Sequence, residues 1–183
     1  MKHTFLFLFG VLTVWWAACT SSPERLKQKA EEALRQAEAA DLNNTPGDSV
    51  KLIEAQRQVL TFTEQFKDDP AAPELLYRLG MTLQMHRKSQ QAIEQLRKVH
   101  TLYPTSPSAH RALFLEAFIL ANELNDTASA RKAYTLYLDN YSQWDEKLTE
   151  DARFELKHLG KSPDELLQEI LDTMMQDSAQ APS

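Results

Sequence analysis

The apolar pattern of this chain begins as an unbroken run. Phe5 to Trp16 is apolar apart from Gly10 and Thr13, and Lys2 and His3 precede it. The run is shorter than the roughly 20 residues a bilayer-spanning helix needs, and it has the form of the hydrophobic region of a secretory signal. Ala17, Ala18, Cys19 and a polar Thr20-Ser21-Ser22 stretch follow. Beyond this point the apolar residues become periodic. Leu26, Ala30, Ala33, Leu34 and Ala37 recur at helical spacing and predict an amphipathic helix to about Ala40. Ser22-Pro23-Glu24 starts it as N-cap, first helical residue and acidic first turn. "DLNNTPGDS" (Asp41 to Ser49) interrupts the pattern. Leu52, Ala55, Val59 and Phe62 then mark a second helix over about 48–66, ended by "KDDPAAP" (Lys67 to Pro73).

Helical spacing continues to the end of the chain. Two helices are expected within 73–106 and two more within 111–142. "TEDARFELKHLG" (Thr149 to Gly160) is a further helix stopped by Gly160. "KSPDELLQEILDTMMQ" starts another, with Ser162 as N-cap, Pro163 first and Glu165 closing a capping box. Its Leu166, Leu167, Ile170, Leu171 and Met174 are expected to form a buried stripe. Residues 177–183 are polar and are expected to form a disordered tail. No segment shows period-two alternation with β-branched residues, and Ala, Leu, Glu, Gln, Lys and Arg fill the stretches between prolines. The fold class is all-α.

Two resemblances sharpen this picture. Trp16, Ala17, Ala18 and Cys19 resemble the lipobox of bacterial lipoproteins, in which an aliphatic residue and two small residues precede the lipidated cysteine. Three positions match; Trp16 stands where Leu, Val or Ile is usual. The resemblance implies that 1–18 is a signal peptide, that Cys19 carries lipid and that 19–22 is a tether. Thr20 is not the Asp associated with inner-membrane retention in Gram-negative lipoproteins. The implied location is therefore the outer membrane, lipid-anchored and facing the periplasm. The bare residues leave other roles open for Cys19: an uncleaved signal anchor, soluble export, or a core thiol. It is the only cysteine in the chain, so no intrachain disulfide is available.

From Pro73 to Ser106 the chain reads "PELLYRLGMTLQMHRKSQQAIEQLRKVHTLYPTS". This resembles a tetratricopeptide repeat, a helix–turn–helix unit of about 34 residues. The packing positions are filled by Leu76, Leu79, Gly80, Leu83, Ala92, Leu96, Val99 and Pro104. A second, looser copy follows with Phe114, Ala117, Phe118, Ala121, Ala130, Tyr134 and Tyr137, and Ser142 replaces the proline. The resemblance implies a right-handed solenoid of antiparallel helix hairpins over 23–176, closed by a C-terminal capping helix. It also assigns a concave groove to Tyr77, Met81, Gln84 and Met85 of one unit and Leu115, Ile119 and Asn122 of the next. The stretch from Phe114 to Tyr141, with "HLGKSPDELLQEI", resembles repeat lipoproteins of Bacteroidota envelopes. More distant similarities are to the lipoprotein subunit of the β-barrel assembly machine and to the Tol–Pal-associated coordinator.

Charge and chemistry narrow the function classes. The net charge is −6. This opposes nucleic acid as a main partner and opposes docking to anionic lipid by a basic patch. His86, His100, His110 and His158 have no close metal-ligand spacing, and no phosphate loop, dinucleotide fingerprint or nucleophile elbow occurs. No cofactor, no small-molecule substrate and no enzymatic activity are expected. Glu116 lies within the apolar run "ALFLEAFILA" and needs a partner if buried. The repeat register places it at the same position as Arg78, so an ion pair between the two is expected. The expected function is protein–protein interaction or scaffolding with other envelope proteins or peptides. The alternative is a structural or assembly subunit of an envelope complex without a peptide groove.

Overall fold

The computed structural model describes residues 22–39 and 46–180. Cys19 and the apolar run before it lie outside the described residues. Eight helices account for the regular structure, and no strand occurs among the described residues. They are α1 (Pro23–Glu38), α2 (Pro46–Gln65), α3 (Ala72–Met85), α4 (Ser89–Leu102), α5 (Ala109–Asn122), α6 (Thr127–Tyr141), α7 (Glu146–His158) and α8 (Pro163–Gln180).

Local chemistry sets these boundaries. The Ser22 hydroxyl accepts from the Arg25 N–H at 3.4 Å, and Pro23 occupies the first turn. Asp126 and Asp145 cap α6 and α7 by accepting from the N–H groups of Ser129 and Leu148 at 3.0 and 2.9 Å. At α8 the Glu165 N–H donates to Ser162 Oγ at 3.3 Å and the Ser162 N–H donates to Glu165 Oε2 at 2.7 Å, a reciprocal capping box. Gly160 ends α7 with φ of +85°. Arg87 (φ 57°) and Asn125 (φ 52°) turn the chain between α3 and α4 and between α5 and α6. One residue in the left-handed region thus occurs in the turn of each of these two hairpins.

Helices pack as hairpins α1/α2, α3/α4 and α5/α6, and each hairpin stacks on the next through α2/α3, α4/α5 and α6/α7. The first helices also touch along the array, α1 with α3 and α3 with α5. This is the arrangement of a helical repeat solenoid. Leu76, Leu79, Gly80, Leu83, Ala92, Leu96 and Val99 are all buried, as are Ala117, Ala130, Tyr134 and Tyr137. A Cβ placed on Gly80 would stand 2.7 Å from Leu96 Cγ and Cδ2, so any larger residue there would force the Leu96 side chain to shift. Phe114 and Phe118 are half-buried. The Phe114 ring meets Tyr134 and Tyr137 edge-on, each at 5.8 Å between centroids. Pro104 is exposed after the end of α4, and its carbonyl accepts from Tyr141 Oη at 2.9 Å.

Two expectations about the C-terminal region change. Residues 177–180 continue α8 rather than opening a disordered tail. The stripe of α8 expected to be buried is not: Leu167, Ile170, Leu171 and Met174 are between 46% and 63% exposed, and only Leu166 is half-buried. The physical reason is that α8 does not fold back along α7 as α4 does along α3 and α6 along α5.

Candidate interaction surfaces

Three surfaces could carry function: the face of the first helices, the buried carboxylate on α5, and the C-terminal pair α7 and α8.

Polar contacts between successive first helices stitch the first face together. Arg78 on α3 donates to Glu38 on α1 at 2.8 and 3.0 Å. Glu74 on α3 accepts from Arg111 Nη2 at 2.8 Å and from Ser108 Oγ at 2.5 Å. Gln84 donates to Glu123 Oε1 at 2.8 Å, and Ser89 Oγ donates to the same carboxylate. The Arg111 guanidinium lies 4.6 Å over the Tyr77 ring, a cation–π contact that covers the aromatic face. Tyr77 is 9% exposed and Ile119 0%. Met81, Gln84 and Leu115 are half-buried, and Met85 and Asn122 are exposed. The seven groove residues therefore do not form a continuous open apolar strip. Arg111 covers Tyr77 at one end, and Ile119 is buried within the array. What remains open is mixed: Met85 and Asn122 beside the Gln84–Glu123–Ser89 bonds.

The second surface corrects the expected ion pair. Glu116 is 4% exposed, but its partners are on α4, the second helix of the preceding hairpin. Arg97 donates to Oε1 from Nη2 at 2.6 Å and from Nε at 3.0 Å. His100 Nε2 lies 2.6 Å from Oε2. Arg78 is taken by Glu38 instead. A shared repeat position places both residues on equivalent faces, but Arg78 looks back to α1 while Glu116 looks into the α4 seam. Both carboxylate oxygens of Glu116 are engaged in holding α4 to α5. On α5, burial holds the His110 imidazole below its ordinary value, and neighbouring Arg111 adds to this while Asp145 opposes it. The His110 ring packs on Trp144 at 5.5 Å. Among the described residues no group of three His, Cys, Asp or Glu side chains could hold a metal ion.

The third surface is apolar. On α7, Phe154 is 61% exposed. With Leu166, Ile170 and Met174 of α8 it lines a cleft of about 380 Å³, together with Lys157, His158 and Glu169. Glu169 accepts from Lys157 Nζ at 2.8 Å and Lys161 Nζ at 2.6 Å, with His158 Nε2 at 3.5 Å. The two ammonium donors hold its carboxyl down at about 2. Sequence periodicity marked this stripe as apolar; it carried no signal that the stripe would stay uncovered. A polar groove of about 580 Å³ lies at the opposite end of the array between α1 and α2, lined by Arg25, Lys29, Glu32, Glu54 and Gln58 among others. No helix among the described residues is long and apolar enough to cross a membrane.

Residues 74–106, which take in α3 from its third residue, α4 and the turn between them, match the family model described as a tetratricopeptide repeat. The α5/α6 hairpin has the same architecture outside the matched segment. No curated protein and no solved structure matches the chain. Tetratricopeptide repeats generally mediate protein–protein interactions, and a helical array of this kind is typically a non-catalytic interaction module.

Proposed function

From a chain that carries a tetratricopeptide repeat, we propose a lipid-anchored protein of the bacterial cell envelope that binds other envelope proteins through its helical array. The observation that carries the interaction half is the matched repeat at 74–106, extended by the stacked hairpins on either side. The anchoring half rests on the sequence Trp16-Ala17-Ala18-Cys19 after a short apolar run. A diacylated or triacylated cysteine would hold the chain firmly, since stable anchoring takes more than one acyl chain. Residence at the outer membrane, facing the periplasm, follows from Thr20 after the cysteine. The resemblance to repeat lipoproteins of Bacteroidota belongs to the same reading.

The burial of Tyr77 and Ile119 favours a particular form of this function. A peptide-binding groove needs those side chains open. A scaffold or assembly subunit that uses surfaces at the ends of its array does not. The test is proximity crosslinking in the envelope, with Cys19→Ala as control. The expected result is membrane retention and a defined set of crosslinked envelope proteins for the parent, with both lost in the variant. Unchanged retention and partners in Cys19→Ala would defeat the anchoring claim, and an absence of specific crosslinks in the parent would defeat the interaction claim.

A further inference from the structure

A fourth surface is the edge of the array that carries the loops between hairpins, 66–71, 103–108 and 142–145. Side-chain contacts fix which helix ends meet there. Glu74, near the start of α3, is bound by Ser108 and Arg111 at the start of α5. His86 Nε2, just after α3, lies 3.2 Å from the Ala37 carbonyl oxygen near the end of α1. The first helices therefore run parallel, and α1 begins at the loop edge. The three loops share one turn. The carbonyls of Phe66, Tyr103 and Tyr141 accept from the N–H groups of Asp69, Ser106 and Trp144 at 3.1, 2.9 and 2.9 Å. Neighbouring loops also touch. Tyr141 Oη donates to the Pro104 carbonyl, and the Trp144 ring lies 5.5 Å from His110 and edge-on to Tyr141 at 5.6 Å. Burial pushes the Tyr103 phenol up, and Asp68 of the preceding loop adds to this. Leu102 (63% exposed) and Trp144 (46% exposed) stand out from this edge.

The length of chain before α1 says what lies against this edge. Only Thr20, Ser21 and Ser22 separate Cys19 from Pro23, the first residue of α1. At about 3.6 Å per residue, the four steps from Cys19 to Pro23 reach at most about 14 Å. We infer that the loop edge of the array rests on the bilayer that holds Cys19, with Leu102 and the Trp144 indole seated among zwitterionic headgroups. This rests on the lipid-anchoring reading above. A chain held so closely could present either its loop edge or its outer α1–α2 flank to the membrane. The flank is polar, lined by Arg25, Lys29, Glu32 and Glu54 among others. The loop edge instead offers an exposed leucine and an exposed indole, whose apolar ring and polar N–H suit the boundary between headgroups and acyl chains. The charged residues of the three loops are Lys67, Asp68, Asp69 and Asp145. They make no cluster of Lys and Arg for anionic lipid, so the matching surface is zwitterionic.

With 1–18 removed, Trp144 is the only tryptophan in the chain, so its emission reports the contact. The test places the full processed chain, lipidated at Cys19, in phosphatidylcholine vesicles with and without a doxyl-labelled phosphatidylcholine that quenches near the headgroups. The expected result is a blue shift of Trp144 emission on joining the vesicles and at least twofold quenching by the labelled lipid. Trp144→Phe with Leu124→Trp moves the reporter to the turn after α5, at the opposite edge, and the quenching should be lost. Leu102→Asp should at least halve the quenching of Trp144 while circular dichroism stays unchanged. Unquenched Trp144, equal quenching of a reporter at 124, or quenching unmoved by Leu102→Asp would overturn the inference. Flotation of the vesicles separates the inference from its premise. A chain that floats with them while Trp144 stays unquenched sinks the inference and leaves the anchor standing. A chain that does not float, or Cys19→Ala floating as well as the parent, sinks both.

Discussion

Glu116 and His110 lie on the same helix, and each ties the array together by a different means. Glu116 is satisfied twice from α4, by an Arg97 whose side chain is 56% exposed and a His100 whose side chain is 9% exposed. The buried partner should matter more, because its loss leaves a buried acceptor less satisfied while solvent can replace part of the Arg97 contact. His100→Ala is expected to lower stability by about 1–3 kcal/mol, and Arg97→Ala by less. Urea unfolding of the two variants checks the order, and a larger loss for Arg97→Ala would reject it. His110 gives a pH dependence. Its folded value lies below the 6.5 of a free imidazole, chiefly through burial. The unfolded chain therefore takes up a proton at a higher pH than the folded one. Stability should be complete above that ordinary value and should fall as pH drops through it, since the unfolded state binds more protons there. His110→Gln should flatten stability between about pH 7 and about pH 5 relative to the parent. Parallel curves for the two proteins would exclude His110 as the source.

Helices were legible in the sequence where a local rule governs them, and their neighbours were legible only in part. The capping box at Ser162 and Glu165 is written in four consecutive residues, and the structure forms both of its bonds. Gly80 could be read as a point of close approach because the repeat demands a small residue there; the side chain it admits is Leu96 of α4. The partner of Glu116 could not be read that way. Register states which position a residue holds in its unit, and two helices flank that position. The covering of Tyr77 depends on Arg111 crossing to it, a contact between side chains on successive first helices that no single-helix pattern encodes. The exposed stripe of α8 was invisible for a related reason, since periodicity defines a face and says nothing of what covers it. The α3–α4 seam yields the prediction at this scale. Gly80→Ala gains about 1 kcal/mol of helix propensity but drives a methyl against fully buried Leu96, a cost of about 1–3 kcal/mol. The variant should be destabilised by roughly 1 kcal/mol net, and Leu96→Ala in the same chain should remove part of the Gly80→Ala penalty. A double-mutant cycle in thermal unfolding measures that coupling; simple additivity would mean the seam relaxes freely.

The whole molecule divides into a stack that holds itself together and a terminal helix that adds little to it. Every large, fully buried side chain among the described residues belongs to α1–α6, and α7 contributes Ala152. Helix α8 contributes no buried apolar residue among those described; it is tied to the end of α7 through Glu169 with Lys157 and Lys161. Such exposed ion pairs contribute little, typically below about 1 kcal/mol. A solenoid terminus is usually sealed by a cap, and loss of a cap that buries core surface would be costly. Here the opposite follows. Deleting 163–183 should move the thermal midpoint by no more than about 4 °C, equivalent to about 1 kcal/mol in a domain of this size. Leu83→Ala, in the α3 core, should cost about 2–5 kcal/mol and shift the midpoint several times further. If the deletion proves as damaging as Leu83→Ala, α8 seals the stack and its apolar stripe is not free for a partner. If the deletion leaves the fold intact, an apolar helix is present that folding does not require, and its exposed stripe is open to binding.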